Sequence, residues 1–255
     1  MSNEQGPEAE HTHHGHAHTG HHHGHHHAHA HGDSFAGENA KHYDASAQEY
    51  DARPDVQELA RRVAAAIQKL HPSLLDEDST AVMDYACGTG ALSRELAPHV
   101  KSVLGVDISQ GMVDLYNTRV SNQGIPPEEM RAVCVELKGT GDELDGAKFD
   151  VITCSMAYHH FSSIEDTTRL LASFLKPGGS LLVIDIIKGE QEVTPESFKH
   201  IVAHRSGFAE SEIREVFEGS GLADFSFTPA THAKTHGHDV AIFIARGRKP
   251  LQDAA

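Results

Sequence analysis

The chain has 255 residues, and once the first forty are set aside it is long enough for one α/β domain with a substantial core. Its formal net charge of −16 argues against binding to a phosphate backbone, so nucleic acid is not an expected partner. No apolar run approaches the length of a membrane span, and the polar start lacks the apolar segment of a signal peptide.

Three cysteines, Cys87, Cys134 and Cys154, are widely spaced and odd in number. This usage argues against a disulfide framework. A reducing compartment fits better, and we expect a cytoplasmic protein, with the nucleus as an alternative.

Residues 1–40 are of low complexity, and thirteen of the 23 histidines lie between His11 and His31. Such a segment buries no core, so we expect it to be a disordered tail that precedes a folded domain at residues 41–250. Imidazoles at this density suit Zn, Ni or Cu, although the pattern defines no fixed metal geometry. A solvated spacer, a purification tag and a segment that is itself modified are the other interpretations.

The first ordered segment, residues 41–51, contains two Tyr-Asp pairs that begin at Tyr43 and Tyr50. It is interpreted either as a surface turn with a cap or as a lid over the site. Pro54 then suits a helix N-terminus, and apolar residues recur at helical spacing as far as Leu70.

The chain is organised around residues 82–90, which read Val-Met-Asp-Tyr-Ala-Cys-Gly-Thr-Gly. Residues 81–83 predict a buried strand, Gly88 and Gly90 mark a turn, and residues 91–97 predict a helix. This succession is typical of the nucleotide-binding corner of a doubly wound α/β sheet. Two glycines alone are also compatible with an ordinary strand-to-helix turn.

The second predicted strand, residues 100–107, ends in Asp107, seventeen residues beyond Gly90. An acid at this separation is expected to accept hydrogen bonds from a ribose diol. The alternative is that Asp107 only caps the following helix.

Three further strands are predicted, and Glu136 lies at the end of the first of them. Their ranges are residues 130–137, 149–154 and 180–187, with a turn at 176–179. Residues 155–160 follow the fourth strand and are therefore expected beside the ligand crevice.

The end of the chain is predicted to contain one long connection and one strand pair. Residues 188–209, with His200 and His204, are expected to form a lid or substrate element. Helices are predicted at 164–175 and 210–219, and strands at 222–227 and 239–246. The segment between these strands is too short for a crossover helix, so the pair should be antiparallel.

Four stretches of this chain, in the same order, resemble the class I S-adenosylmethionine-dependent methyltransferases. They are residues 82–90, 106–109 (Val-Asp-Ile-Ser), 149–152 (Phe-Asp-Val-Ile) and 175–182 (Leu-Lys-Pro-Gly-Gly-Ser-Leu-Leu). The resemblance implies a Rossmann-like, doubly wound α/β sheet of seven strands with an antiparallel last strand and helices on both faces. It also implies a methyltransferase with S-adenosylmethionine as cofactor.

The resemblance further implies roles for individual residues. The methionine part of the cofactor would lie against Asp84, Ala86, Cys87, Gly88 and Gly90. The rest of the cofactor would be held by Asp107 and Ile108 at the ribose, Met112, Glu136 and Leu137 at the adenine, and Ser155 at the amino-acid end. Ala86 stands where the family most often has a glycine, and we expect binding to persist with a slightly altered loop.

His159 and His160 are the predicted catalytic bases, because they titrate near neutrality and follow the fourth strand. The alternative is that this pair only shapes the pocket. His204 is a weaker candidate, and Tyr43 and Tyr50 are expected to close over the cofactor.

Three functions stay open, together with a weaker one. A small-molecule methyltransferase is favoured, with the acceptor atom undefined. A protein or peptide methyltransferase that acts on His-rich sequence, and a non-catalytic protein with a metal-binding tail, are the alternatives. A nicotinamide-dependent dehydrogenase is disfavoured because the fuller G-x-G-x-x-G signature is missing.

Overall fold

The computed structural model describes residues 32–251, and their backbone forms one central sheet flanked by helices. The strands are β1 (Ala81–Tyr85), β2 (Ser102–Asp107), β3 (Met130–Cys134), β4 (Phe149–Ser155), β5 (Leu175–Ile186), β6 (Ala223–Thr235) and β7 (His238–Arg248). The α-helices are α1 (Gly32–Asp51), α2 (Pro54–Leu70), α3 (Ala91–Leu96), α4 (Gln110–Asn122), α5 (Ile164–Phe174) and α6 (Glu210–Gly219). The expected His-rich segment between His11 and His31 lies outside the described residues.

The sheet has seven strands in the order β3-β2-β1-β4-β5-β7-β6. The first five strands are parallel to one another, and β7 pairs antiparallel with both β5 and β6. The predicted Rossmann-like fold with its antiparallel last strand is therefore confirmed. The strand order reverses between β1 and β4, and in such sheets ligands bind at this switch point, outside the carboxyl ends of the strands.

Two apolar cores hold helices on both faces of the sheet. One joins α2 and α4 to the strands through side chains such as Val63, Ile67 and Val113. The other joins α5 and α6 through Leu171 and Phe217. Among residues 32–251, no helix is both long enough and apolar enough to cross a bilayer.

Helix α1 contradicts the interpretation of residues 41–51 as a surface turn, since the whole segment is helical. The expected domain boundary at residue 41 falls inside this helix. The Asp44 carboxyl group accepts hydrogen bonds from Ser109 Oγ (2.7 Å) and the Gly111 amide (2.9 Å) at the start of α4. An ion pair joins Asp51 to Arg119 at the end of α4. Tertiary contacts of this kind stabilise a helix that has no strong apolar face of its own.

Three strand predictions need correction. β3 ends at Cys134, so Glu136 and Leu137 lie in the loop beyond it. Residues 176–179 form a bulge at the start of β5, because the β4–β5 register shifts between Phe149 and Val151. Residues 228–235, predicted as a connection, extend β6, with a second register shift where Pro229 cannot donate a ladder hydrogen bond. The antiparallel pairing of the last two strands is confirmed.

Candidate functional site

The loop after β1 turns through three positive φ angles. They are +56° at Ala86, +53° at Gly88 and +81° at Gly90. An L-residue in the left-handed region costs about 1–2 kcal/mol, whereas glycine adopts it freely. Ala86 therefore occupies, with some strain, a conformation that favours the glycine expected from the family resemblance.

The two glycines of the loop have different surroundings. A Cβ on Gly90 would lie 2.5 Å from Cδ2 of Tyr116, so this glycine permits close packing inside the protein. A Cβ on Gly88 would meet only Cε1 of Tyr50, at 3.7 Å. The open side of the loop is thus at Gly88, where a ligand can approach the backbone.

Asp107 ends β2 directly beside this loop. Its two carboxyl oxygens accept hydrogen bonds from the Gly88 amide (2.8 Å) and the Ser109 amide (2.9 Å). Burial raises the pKa of Asp107, and these amide hydrogen bonds oppose the shift. Each oxygen keeps a lone pair, so the group can accept further hydrogen bonds from a diol. Ile108 follows it, partly buried.

Asp84 is buried below the loop, on β1. Its oxygens accept hydrogen bonds from Ser93 Oγ (2.6 Å) and Thr153 Oγ1 (2.8 Å). Burial raises the pKa of Asp84 to about 6, although both hydroxyls favour its charged form. Asp84 therefore changes its charge close to neutral pH.

The remaining residues of the predicted cofactor set differ in how deeply they are buried. Met112 and Leu137 are buried, at 2% and 5% exposure. Ser155 is partly exposed at the end of β4, whereas Glu136 is exposed and pairs with Lys138 Nζ at 2.8 Å. Burial raises the pKa of the Cys87 thiol well above its usual value, so Cys87 is a packing residue at neutral pH.

Helix α1 contributes the two predicted lid tyrosines. The rings of Tyr43 and Tyr50 meet edge to face, with centroids 6.0 Å apart. Tyr50 lies next to Gly88, and the Tyr43 hydroxyl lies 3.1 Å from Nε2 of His160. Burial raises the pKa of both phenols, which keeps them protonated at neutral pH. One helix therefore contacts both the glycine loop and the residues after β4.

His159 is held by Asp185, a fully buried residue of β5. Nδ1 of His159 lies 2.9 Å and 3.0 Å from the two carboxyl oxygens of Asp185. The His159 amide also donates to Asp185, at 3.2 Å. Because a carboxylate only accepts hydrogen bonds, this pairing places the proton on Nδ1 and leaves a lone pair on Nε2.

His160 has both ring nitrogens occupied. Nδ1 lies 2.6 Å from the Ile201 carbonyl oxygen, which can only accept, so Nδ1 carries the proton. Nε2 then accepts the hydrogen bond from the Tyr43 hydroxyl. Burial, followed by the neighbouring His159, lowers the pKa of His160 to about 3. The two predicted bases thus differ, and His160 is a neutral structural link between α1 and the 188–209 connection.

The two histidines of that connection also differ. His204 Nε2 donates to the Phe161 carbonyl oxygen at 3.1 Å, and the His204 amide donates to the His159 carbonyl oxygen at 3.0 Å. Desolvation lowers the pKa of His204. His200 is exposed, and no described contact brings it to the carboxyl edge near His159.

Asp185 is a residue of the candidate site that the sequence did not predict. The signal was present, because it is the one charged residue within the apolar run at 181–187. A carboxyl group in a central strand is rarely buried without a partner. The sequence did not identify that partner, because His159 lies in the connection that follows β4, 26 residues before Asp185.

One further observation indicates that the loop residues fit a bound nucleotide-like group. Oγ1 of Thr89 is buried and, within residues 35–251, has no hydrogen-bond partner. An unpaired buried hydroxyl is costly, so it is typically satisfied by water or a ligand. Together with the open side of Gly88 and the carboxyl group of Asp107, it leaves polar groups available at the switch point of the sheet.

Comparison with known proteins identifies the domain. A family model described as a methyltransferase domain matches residues 82–179. An uncharacterised methyltransferase of Schizosaccharomyces pombe is 38% identical over 152 residues, which cover 56% of this chain and 54% of that protein. The ubiquinone biosynthesis O-methyltransferase of Coxiella burnetii is 31% identical over 100 residues, covering 39% of this chain and 41% of that protein.

The chain therefore spans about half or less of the length of these two relatives. Among solved structures, the [4+2]-cyclase SpnF superposes with a TM-score of 0.66 at 17% identity, over 85% of this chain and 97% of that one. This likeness shows the shared fold alone. Residues 82–179 therefore match a methyltransferase domain, and the sheet order is that of the class I, Rossmann-like methyltransferase fold.

Proposed function

We propose that this protein transfers a methyl group from S-adenosylmethionine to a protonated heteroatom of a small molecule. The observation that carries this proposal is the pairing of His159 with the buried Asp185, at 2.9 Å, at the carboxyl edge of the sheet. It supplies an oriented base beside the expected cofactor loop. A fold shared with a cyclase does not by itself specify methyl transfer, so the argument depends on the site.

The chain offers a distinct role to each group of the predicted cofactor site. The Gly88 side of the loop would receive the methionine part, with Asp84 below it and Ser155 beside it. Asp107 and Ile108 would hold the ribose, and Met112, Leu137 and the exposed Glu136 would border the adenine. Tyr50 would cover the loop from above.

When bound, S-adenosylmethionine supplies a methyl group that is already activated by its positively charged sulfur. The protein then has to orient the acceptor and remove its proton. Nε2 of His159 would accept that proton, because Nδ1 is fixed on Asp185. Asp185 would hold the ring in this tautomer and stabilise the charge that develops on it. His160 would position Tyr43 and α1.

The similarity to an O-methyltransferase of ubiquinone biosynthesis supports a small-molecule acceptor. Groups from three other segments, α1, β5 and the 188–209 connection, contact His159 or His160 at this edge, which suits a compact acceptor better than a protein chain. The free cysteines Cys87, Cys134 and Cys154 support a reducing compartment such as the cytoplasm. Binding of Zn, Ni or Cu by the segment between His11 and His31 is a separate proposal from composition.

The test uses the full chain with S-adenosylmethionine labelled in its methyl group. Cell extract is fractionated into metabolites and proteins, and the label is followed into each fraction. We expect label in a metabolite fraction, and calorimetry should show binding of S-adenosylhomocysteine. Label confined to protein would favour the peptide alternative, and an increased intact mass of the His11–His31 peptide would indicate self-modification. If S-adenosylhomocysteine does not bind, the proposal is wrong.

A further inference from the structure

The last peptide group of the glycine loop, between Thr89 and Gly90, is held at both of its polar atoms. The Gly90 amide donates a hydrogen bond to the Cys87 carbonyl oxygen at 3.0 Å. The Thr89 carbonyl oxygen accepts a hydrogen bond from Nη1 of Arg94 at 3.1 Å. The first contact closes the loop on itself, and the second ties it to a charged side chain outside the loop.

Arg94 connects the loop to a second helix. It lies in the first turn of α3, directly after the loop. Helix side chains point toward the N-terminus of their helix, so a long side chain in this turn returns to the loop. Its other arm, Nη2, donates to Oε1 of Gln57 on α2. Because the guanidinium is a rigid planar fork, its two arms fix the position of the loop relative to α2.

Thr89 is anchored through its backbone and not through its side chain. The residue is 1% exposed, and within residues 35–251 its Oγ1 has no hydrogen-bond partner. The hydroxyl therefore does not hold this part of the loop in place. The anchoring at Thr89 depends on its carbonyl oxygen, and thus on Arg94.

The position of Arg94 is costly for a charged side chain. It is partly buried, and desolvation lowers the pKa of Arg94; the charge of Arg119 acts in the same direction, whereas Asp51 opposes it. Asp51 is itself ion-paired with Arg119. A charge is tolerated away from water where hydrogen bonds replace its hydration. The guanidinium therefore requires Thr89 and Gln57 as partners, and its contact with the loop is correspondingly specific.

The loop is also a segment that a ligand would otherwise have to order. Its backbone passes through positive φ at Ala86, Gly88 and Gly90, and glycine loses more conformational freedom on ordering than any other residue. Ordering a loop during binding reduces the affinity for the ligand, whereas a loop that is fixed beforehand avoids this cost. A side chain that fixes the loop in the unbound protein should therefore increase the affinity for the donor.

We propose that Arg94 is a positioning residue of the donor site, which holds the Thr89–Gly90 peptide group in the conformation that receives S-adenosylmethionine. Arg94 acts through the loop backbone, and Gln57 acts through Arg94. The inference concerns donor binding alone, so it depends neither on the identity of the acceptor nor on His159.

The experiment measures the dissociation constant of S-adenosylhomocysteine by calorimetry, with the full chain and its variants. Arg94→Met removes both arms of the fork and should raise the constant about tenfold. Arg94→Lys, whose ammonium group cannot contact both partners as the fork does, should raise it about threefold. Arg61→Met is the matched control, because the Arg61 guanidinium is exposed and pairs with Glu58 at 2.8 Å, and it should leave the constant unchanged.

A double-mutant cycle tests the role of Gln57. Gln57→Leu removes the acceptor of Nη2 and should raise the dissociation constant about threefold. Combined with Arg94→Met it should cause no further loss, because Gln57 acts on the loop only through the guanidinium. Additive losses would show that the two residues affect the site separately, and would overturn the link to α2.

Hydrogen–deuterium exchange of the unbound protein separates positioning from general stabilisation. In Arg94→Met, the amides of residues 86–91 should exchange about tenfold faster than in the wild type or in Arg61→Met, whereas those of β5 should be unchanged. Faster exchange throughout the sheet would mean that Arg94 only stabilises the fold, and would overturn the proposal. If Arg94→Met does not fold, Arg94→Lys and Gln57→Leu provide the same test.

Calorimetry of the wild-type chain separates this inference from the proposed function. If the wild type does not bind S-adenosylhomocysteine, both are wrong. If it binds and both Arg94 variants bind equally tightly, only the role of Arg94 is overturned. If it binds but transfers no label to any fraction, the proposed function is wrong, and the affinities of the variants still decide the role of Arg94.

Discussion

The two halves of the carboxyl edge are built in different ways. The donor side, at the ends of β1 and β2, uses mostly residues close in sequence: Asp107 contacts Gly88 and Ser109, and Asp84 contacts Ser93. The contact of Asp84 with Thr153 is its long-range exception. The acceptor side, at the ends of β4 and β5, joins residues far apart in sequence, such as Tyr43 to His160 and Asn39 to Ile201. Recognition of a shared cofactor can be encoded locally, whereas the acceptor side depends on how distant segments pack.

The largest expected effect tests the acceptor side. His159→Ala should lower kcat about a thousandfold without changing the affinity for S-adenosylhomocysteine, because it removes the proposed base and no donor-side contact. Steady-state kinetics with the acceptor and calorimetry with S-adenosylhomocysteine measure the two quantities. His99→Ala, an exposed histidine at the opposite edge, is the control.

Asp185→Asn in the same assay tests whether Asp185 positions the ring of His159. It should lower kcat less than His159→Ala does and move the acid limb of the pH–kcat profile to lower pH. A loss of kcat with an unchanged profile would show that Asp185 only supports the fold.

The next effect tests the donor side. Asp107→Ala should weaken binding of S-adenosylhomocysteine about a hundredfold, since hydrogen bonds to a charged group contribute about 1.5–3 kcal/mol each. Calorimetry gives the dissociation constant. Asp114→Ala, on the exposed side of α4, should bind normally. Near-normal binding by Asp107→Ala would contradict the ribose assignment.

A smaller effect depends on pH. The pKa of Asp84 is raised to about 6 by burial, so its carboxyl group is mostly neutral at pH 5 and mostly charged at pH 7. If the charged form holds the cationic amino group of the ligand, affinity for S-adenosylhomocysteine should fall about tenfold from pH 7 to pH 5. Asp84→Asn should bind weakly at both pH values. A wild-type affinity that is flat over this range would remove Asp84 from the amino-group site.

The smallest effect concerns the strained loop. Ala86→Gly should raise the free energy of unfolding by up to about 1 kcal/mol, because relief of the left-handed strain exceeds the extra entropy of glycine in the unfolded chain. Chemical denaturation measures it. The control Ala91→Gly, at the start of α3, should instead lower stability by up to about 1 kcal/mol. Destabilisation by Ala86→Gly would mean that the alanine methyl group packs favourably.

The same contrast between local and distant contacts explains which helices could be predicted from the sequence. α2 and α6 were located correctly by apolar periodicity and helix-terminus residues. α1 was missed because its helical form depends on distant contacts, such as Asp44 with Ser109 and Asp51 with Arg119. The spacing of apolar residues along the sequence does not reveal such contacts.

The candidate site shows this limit in a single pair of residues. His159 and His160 are neighbours of one chemical type, and only the fold determines which of them meets Asp185 and which meets Tyr43. The extension of β6 was hidden in a similar way. Pro229 interrupts the alternation typical of a strand, and pairing with β7 overrides it.

Gly90 and Gly105 enclose one aromatic ring between the loop and β2. A Cβ on either glycine would lie within 3 Å of the Tyr116 ring, at 2.5 Å and 2.9 Å. The second glycine of the loop signature is thus explained by Tyr116 and requires no ligand contact. A smaller side chain at 116 would relieve the clash of an alanine at 90 but not the strain of its positive φ, so a double-mutant cycle across positions 90 and 116 would be strongly non-additive. At 105 the relief would be partial, because the added Cβ would still lie 2.8 Å from Cys87 Sγ.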